Sequence, residues 1–350
     1  MILRHRRLAC LVAILAAAGP ASRAQAPPAL PDHLTPEAVR AIDRGIQFLV
    51  RNQAPDGCWR HMGGRGQYPV AMTALAGLAL LGNGSTTTQG PHAPFVRRAT
   101  EYLLSSAGRS GLISRMEEEG RSMHGHGYAM LFLSQVYGMT EDAQQQERIR
   151  VVLERGAELT ARSQSRLGGW LYTPDADGDE GSVTVTQVQG LRSCRNAGIT
   201  VPKATIDRAM KYLDKSVLPD GGIAYRAGLP AGSRPPITAA AVACWYNAGL
   251  YEHPNAVRAL AYCKRNIGIK SLSRDFGGHY YYAHLYMAQV MYLAGEQTWN
   301  DYFPKMRDHL LSLQAEDGSW YGDGVGTTYG TAIALIILQL PYGYLPIMQR

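Results

Sequence analysis

Histidine side chains near the predicted starts of two helices are the groups of this sequence with the most evident potential for chemistry. His124 and His126 stand two residues apart, and His279 and His284 stand at the corresponding end of a later apolar segment. Neutral imidazoles gathered at one place could bind a transition metal. Histidines hydrogen-bonded within the fold are the alternative, which we favour, and we predict no metal site.

An acidic run offers a second kind of chemistry. Asp175, Asp177 and Asp179 alternate like the oxygen ligands of a calcium loop, but Glu180 replaces the usual glycine and Thr186 stands where a bidentate glutamate belongs. A solvated acidic loop is therefore favoured over a calcium site. Three residues remain as weak candidates for a catalytic acid or base: Asp179, Glu180 and His126.

The elements that must position these residues repeat six times along the chain. Each copy has an amphipathic helix, a Gly-rich turn that often ends in an aromatic residue, and a more apolar helix. The first copy comprises Arg40–Asn52, the turn Gln53–Trp59 and the apolar segment Pro69–Leu81. The later apolar segments are Gly127–Tyr137, Val183–Cys194, Thr238–Ala248, Tyr280–Leu293 and Tyr329–Leu340. The mean repeat is about 52 residues.

The difference between the two kinds of helix limits the architecture. One member of each pair carries charges on one face and belongs at the surface, whereas the other is apolar almost all round and must be covered on both sides. Six such apolar helices most simply form an inner ring, which predicts an all-α, closed (α/α)6 toroid or barrel. An open superhelical stack is the rival, but it asks for polar capping repeats, and the last segment, Tyr329–Leu340, is among the most apolar.

Parallel inner helices would bring six N-termini to a single rim, whose partial positive charges would attract anions. A group of tyrosines at Tyr280–Tyr282, Tyr286 and Tyr292 could line an apolar pocket there or simply pack together. We therefore predict ligand-binding residues at this rim: Tyr68, His124, His126, Ser182, Thr184, Thr238, His279, Tyr280, His284, Thr328 and Tyr329.

The first residues have the pattern of a targeting segment. Met1–Arg7 is basic, Leu8–Gly19 is apolar and Pro20–Ala26 is rich in small residues, which predicts a secretory signal peptide over residues 1–24. A Pro-rich linker would follow over residues 25–35, and residues 36–350 would form the single toroid domain. We accordingly expect an exported protein, periplasmic or extracellular, with no stable membrane span.

Net charge bears on the kind of binding partner, and cysteine content bears on disulfide formation. The net charge of +7 falls to +3 without the four arginines of the first 24 residues, so nucleic acid is not expected as a partner. Export would expose the cysteines to an oxidising compartment. Buried free thiols are favoured over disulfides, although the sequence leaves the state of four residues open: Cys58, Cys194, Cys244 and Cys263.

Two segments carry a resemblance to a known superfamily. Residues 45–59 and 313–320 resemble the QW repeat of triterpene cyclases and protein prenyltransferase β subunits. Residues 124–138, 280–295 and 342–350 resemble secreted bacterial proteins described as prenyltransferase and squalene-oxidase repeat proteins. The resemblance covers nearly the whole mature chain and implies an α/α toroid. It leaves activity open, because that branch is largely without assigned function.

The catalytic motifs of this superfamily are missing at the matching positions. Ser182, Val183 and Thr184 stand where a cyclase has Asp-Asp-Thr. The zinc ligands of prenyltransferases are likewise replaced, by Ala240, Ala241, Val242 and Gly330. We therefore expect no zinc and no other cofactor.

The function predicted from the sequence is binding. None of the six apolar segments contains an Asp or Glu, so we expect an exported toroid that binds an apolar or isoprenoid-type ligand, an anionic small molecule or a partner in its central cavity. The alternative is an active enzyme, either an unusual squalene-type cyclase or a carbohydrate-active α/α barrel.

Overall fold

The computed structural model describes residues 30–61, 67–229, 231–271, 275 and 277–349. The predicted signal peptide and the first part of the predicted linker lie outside these residues, and Pro31–Arg350 forms one compact unit. Twelve α-helices occupy the described part of that unit: α1 Pro36–Arg51, α2 Pro69–Gly82, α3 Ala93–Ser105, α4 Ser122–Met139, α5 Ala143–Arg162, α6 Gly181–Asn196, α7 Lys203–Lys215, α8 Pro235–Asn247, α9 Pro254–Asn266, α10 Tyr280–Leu293, α11 Glu296–Leu313 and α12 Thr327–Leu338.

Odd-numbered helices form the outer wall and even-numbered helices the inner ring. The first outer helix, α1, buries one face through residues such as Ile42, Ile46 and Leu49 and begins with a Thr35 cap that accepts the Ala38 N–H. The inner helix α2, in contrast, has all 14 of its residues buried. An apolar helix of this kind is stable only when both of its sides are covered.

The inner helices close into a ring. Each packs against the next in the order α2, α4, α6, α8, α10 and α12, and α12 packs back against α2. The closest approach is between α4 and α6, where a Cβ at Gly127 would lie 2.8 Å from the Thr186 carbonyl oxygen and a Cβ at Gly190 2.8 Å from that of Gly127. The predicted all-α, closed (α/α)6 toroid is confirmed.

A recurring contact, here named the turn lock, joins successive copies. In five of the six copies the turn glycine has a positive φ and lies against the carbonyl oxygen of an arginine on the next outer helix, so closely that an added Cβ would come within 3.0 Å of it. Gly318 of the last copy meets Arg44 of the first, which closes the ring. The five glycine–arginine pairs are Gly57–Arg98, Gly111–Arg155, Gly168–Arg208, Gly221–Arg258 and Gly318–Arg44.

A glutamine strengthens three of these locks. The Gln314 side-chain N–H₂ donates to the Gly318 carbonyl in its own turn at 2.9 Å and to the Ala41 carbonyl of α1 at 2.8 Å, while its oxygen accepts from Arg44. Gln53 and Gln164 make the same bonds in copies one and three. The tryptophan that ends each of these turns donates its indole N–H to its own outer helix: Trp59 to Leu49, Trp170 to Thr160 and Trp320 to Leu310.

No such lock occurs among the described residues of copy five. In the five other copies the turn glycine stands thirteen residues after the arginine or lysine of its own outer helix, but Ser271 occupies this place after Arg258. The helix that this turn should meet, α11, carries Lys305 at the place of the arginine. Outer helices α9 and α11 are therefore not joined by the contact that joins the other neighbours.

The C-terminal segment covers one end of the ring interior. Ile347 donates its backbone N–H to the Gln135 side chain of α4 and accepts from Gln289 of α10, which also accepts from Gln189 of α6. Ile347 and Met348 are buried. The opposite end, where the inner helices begin, is the mouth of the ring.

Replacing Gln314 with alanine tests how strongly the lock at the ring seam stabilises the fold. The change removes three hydrogen bonds at about 1 kcal/mol each, so we expect the free energy of unfolding in urea to fall by about 3 kcal/mol. The matched variant Gln144→Ala, at an exposed position on α5, should stay within about 0.5 kcal/mol of the parent. Equal effects of the two changes would contradict a structural role for the lock.

Candidate functional site

Carboxylates lie at the N-termini of alternate inner helices. Glu180 caps α6 by accepting the backbone N–H groups of Ser182 at 2.8 Å and Val183 at 2.7 Å. Glu119, from the turn before α4, accepts the Val70 N–H of α2 at 2.7 Å. Both side chains are buried. Each therefore places a carboxyl group against the positive end of a helix dipole.

The third carboxylate, Asp323, serves α10. Its Oδ2 accepts the backbone N–H groups of Tyr281 at 2.7 Å and Tyr282 at 3.1 Å. Three of the six helix ends at the mouth, those of α2, α6 and α10, are thus met by acidic groups of the protein itself. These carboxyl groups offset the positive ends of α2, α6 and α10, whereas Arg121 and Arg234 directly precede α4 and α8.

A short polar chain joins α4 to α6 at the mouth. His124 Nε2 lies 3.1 Å from Ser182 Oγ, and Ser182 Oγ lies 2.7 Å from Glu180 Oε1. Burial lowers the pKa of His124, and the nearby Glu180 carboxylate opposes that shift. Because the serine has a single proton, which it donates to the carboxylate, the neutral imidazole must carry its proton on Nε2 and donate it to Ser182.

Tyrosines fill the ring interior behind this chain. Tyr128, Tyr282, Tyr286 and Tyr329 are all buried. The Tyr128 and Tyr286 hydroxyl oxygens lie 3.4 Å apart, and the Tyr282 and Tyr286 rings meet edge to face at a centroid distance of 4.9 Å. The interior surface next to the mouth is consequently aromatic and weakly polar.

The hydroxyl of Tyr282 has unsatisfied hydrogen-bonding capacity. It is buried and has no hydrogen-bond partner among the described residues. Burial raises its pKa, and the nearby Tyr128 hydroxyl and Glu180 carboxylate add to the shift. An unpaired buried hydroxyl costs about 1–3 kcal/mol, and such a group in a native fold calls for an explanation.

Some predicted site residues do lie at the mouth. His124 and Ser182 form the polar chain, Tyr329 lies among the interior tyrosines, Tyr68 is half-buried, and His279 is exposed. Thr328, one residue before Tyr329 on α12, is 9% exposed.

Other predicted site residues lie in the walls. His126 Nδ1 accepts the Ile113 N–H at 3.1 Å and its Nε2 lies 3.1 Å from Thr160 Oγ1 of α5, while burial lowers the pKa of His126 to about 4 and keeps the ring neutral. Thr184 and Thr238 accept backbone N–H groups from their own turns. Each of these three side chains joins an inner helix to a turn, a role that also belongs to Thr73 and Thr331.

Two predicted site residues of α10, Tyr280 and His284, also point away from the ring interior. His284 Nδ1 lies 3.2 Å from the Tyr302 hydroxyl of α11, and Tyr280 donates to the Ile269 carbonyl at 2.7 Å. The structure thus places them between α10 and the outer wall, not at the mouth.

The weak catalytic candidates have structural partners. Asp179 accepts from Ser165 at 2.9 Å within the turn of copy three. His126 connects α4 to α5, and both oxygens of Glu180 already accept bonds from the first turn of α6. Glu180 is the one of the three that borders the mouth.

Within the described residues, no group of three or more His, Cys, Asp and Glu side chains could hold a metal ion. No described helix is both long and apolar enough to cross a bilayer. The four described cysteines are free and buried, and burial raises the pKa of Cys58 and Cys194 to about 12. Thiols of this kind are unreactive.

Comparison with known proteins supports the fold. No protein-family model matches the sequence. A variant of the type II terpene cyclase MstE from Scytonema, solved with the product merosterolic acid A, is 13% identical with a TM-score of 0.60, and the match covers 89% of this chain and 98% of that one. The GH76A α-1,6-mannanase from Salegentibacter sp. HEL1_6 is 11% identical with a TM-score of 0.63, over 88% and 99%.

A protein from Actinoplanes is 17% identical with a TM-score of 0.59, over 88% of this chain and 99% of that one. The chain has the α/α toroid fold that the cyclase and the mannanase share. The fold implied by the QW-type segments is therefore confirmed. At these identities the likeness carries no activity with it, because toroids of one shape serve both a cyclase and a mannanase.

Sequence reasoning missed part of the site. Glu119 and Asp323 each contact an inner helix of the preceding copy. The spacing of residues near them in the sequence does not predict such a contact. Tyr128, by contrast, stands one helical turn after His124, so an i, i+4 reading of α4 would have placed the two on one face.

Glu119 gives the stability of the rim a pH dependence. Burial raises the pKa of this carboxyl to about 7 from its ordinary 4.5. Below pH 4.5 the group is protonated in both the folded and unfolded states. As the pH rises to 7 the unfolded state ionises first, so stability falls by about 3 kcal/mol.

The variant Glu119→Gln keeps an acceptor for Val70 without the titration. Its stability relative to the parent, measured by urea unfolding, should be about 3 kcal/mol more favourable at pH 8 than at pH 4.5. The exposed control Glu252→Gln should show no such change with pH. A Glu119→Gln difference that is the same at both pH values would refute the buried-acid assignment.

Proposed function

We propose that this protein is an exported binding protein whose mouth takes a neutral, largely apolar ligand that carries a hydroxyl group, such as an isoprenoid alcohol. Three features support the proposal: the aromatic interior, the acidic groups at three of the six helix ends, and the absence of acidic side chains from the described inner helices. Export rests on the signal-like sequence of the first residues.

The orphan hydroxyl of Tyr282 is the strongest support. A ligand hydroxyl that paired with it would recover the cost of an unsatisfied buried group upon binding. The rings of Tyr128, Tyr286 and Tyr329 would meanwhile cover the apolar body of the ligand. A site of this kind prefers an alcohol over a hydrocarbon of the same length, because only the alcohol has a partner for Tyr282.

The observed caps disfavour a polyene cyclase. Such an enzyme needs a carboxylic acid that is free to donate a proton to the substrate. Glu180 borders the mouth, and its oxygens are taken up by Ser182 and Val183. The likeness to a terpene cyclase therefore supports the fold and not the reaction.

An enzyme remains the second candidate, favoured by the chain His124–Ser182–Glu180. An imidazole and a carboxylate that share a serine at a mouth could act as a general acid and base on a sugar or terpenoid. Incubation of the purified protein with squalene and with α-1,6-mannan tests this candidate. Turnover that is lost in both His124→Ala and Glu180→Gln would replace binding as the function.

Farnesol is a suitable probe of the binding proposal. Isothermal titration should show 1:1 binding, with farnesene, which lacks the hydroxyl, bound more weakly. Tyr282→Phe should weaken farnesol binding about tenfold and should stabilise the free protein by about 1 kcal/mol, because it removes the unpaired hydroxyl.

Tyr280→Phe is the matched control. Its hydroxyl faces the Ile269 carbonyl outside the mouth, so the change should cost about 1 kcal/mol of stability and leave farnesol affinity intact. The proposal fails if farnesol does not bind, or if the two variants bind it equally well.

A further inference from the structure

A groove of about 930 Å³ runs between outer helices α9 and α11. Its floor is apolar and comes from α10 and its neighbours: Met287, Met291, Ile267, Ile269 and Tyr302. Lysines from both walls and from the turn after α9 stand at its edge: Lys264, Lys270 and Lys305. The remaining lining residues are polar, namely Gln297, Thr298 and Asp301.

The groove follows from the missing lock of copy five. In the other five copies a turn glycine allows the next outer helix to pack directly against the turn. Here Ser271 replaces the glycine and Lys305 replaces the arginine, so the residue pair that makes the contact in the other copies is absent. Lys305 instead faces the open groove. The same repeat position that closes the wall in five copies thus leaves a positively charged opening in the sixth.

The three lysines have no ion-pair partner among the described residues. None of the three ammonium groups comes within 4.0 Å of a described carboxylate, although Asp301 stands four residues before Lys305 on the same helix. All three lysines are exposed, whereas the floor residues Met287 and Met291 are buried. The groove therefore presents three positive charges and a single negative one above an apolar strip.

This combination selects an anion with an apolar chain. The volume falls within the range of about 300–1,000 Å³ that is typical of small-molecule sites. An apolar chain can cover the methionine floor, and a negatively charged head can pair with Lys305 and its neighbours. A flat membrane surface does not fit the concave shape between two helices. We propose that the groove is a second site, separate from the mouth, for a free long-chain carboxylate.

Hexadecanoate binding to the full chain tests the site. Titration at low ionic strength should show one bound anion per chain. Lys305→Glu should weaken the affinity at least tenfold, and Lys270→Glu should weaken it as well. The control Lys211→Glu, at an exposed lysine of α7 that does not line the groove, should have no effect, and hexadecanol should bind much less tightly than hexadecanoate.

Two further measurements distinguish the groove from the mouth and from a membrane-binding surface. Tyr282→Phe should leave hexadecanoate affinity unchanged, so the test is independent of the function proposed for the mouth. Sedimentation with phosphatidylglycerol vesicles should leave the protein in solution. Equal hexadecanoate affinity in Lys305→Glu and Lys211→Glu would overturn the proposal, and so would vesicle binding that depends on Lys305.

Discussion

The contact between a turn glycine and an arginine carbonyl on the next outer helix is the constraint from which the rest of the ring follows. No side chain larger than a hydrogen atom fits between Gly57 and Arg98 or between Gly318 and Arg44. Each turn is therefore seated on its neighbour at one distance, and each inner helix begins at a fixed place relative to the last. Repetition of this contact converts helix pairs with no individual stability into a closed wall.

The site at the mouth is a consequence of that regularity. Parallel inner helices bring their positive ends together, and a ring of such ends is unfavourable unless opposite charge meets it. Glu119, Glu180 and Asp323 place a carboxyl group at every second helix. The mouth is left with hydrogen-bonded acids at three of its six helix ends and tyrosines behind them. On the outer wall, where the repeat is broken, lysines line a groove instead.

The closed ring was predictable from the sequence because it depends on composition: helices that are apolar on every side need cover on every side. The residues at the mouth were predictable only in part, because composition does not show in which direction a side chain on an inner helix points. On α6, no periodic polarity distinguishes the direction of Ser182, which borders the mouth, from that of Thr184, which joins the wall. Direction is decided there by the turn that each side chain meets, which is a tertiary contact.

The turn lock could also have been predicted from the sequence, but only by searching for the correct residue spacing. The arginine and the glycine that follows thirteen residues later recur along the chain, and the breaks at Ser271 and Lys305 are visible once that spacing is known. The unpaired hydroxyl of Tyr282 could be predicted neither from composition nor from this spacing. Its lack of a partner depends on the positions of α4, α6 and α12 around it, so no local pattern could have revealed it.

Native-state hydrogen exchange tests the central claim most directly, namely that the turn contacts hold the ring as one cooperative unit. Five turn amides donate to an inner-helix side chain: Trp59, Ile113, Trp170, Ile223 and Trp320. We predict that all five exchange only through global unfolding, with the same free energy and the same dependence on denaturant. Faster, denaturant-independent exchange at Trp320, beside the seam between the last copy and the first, would show that the ring opens there and would contradict the claim.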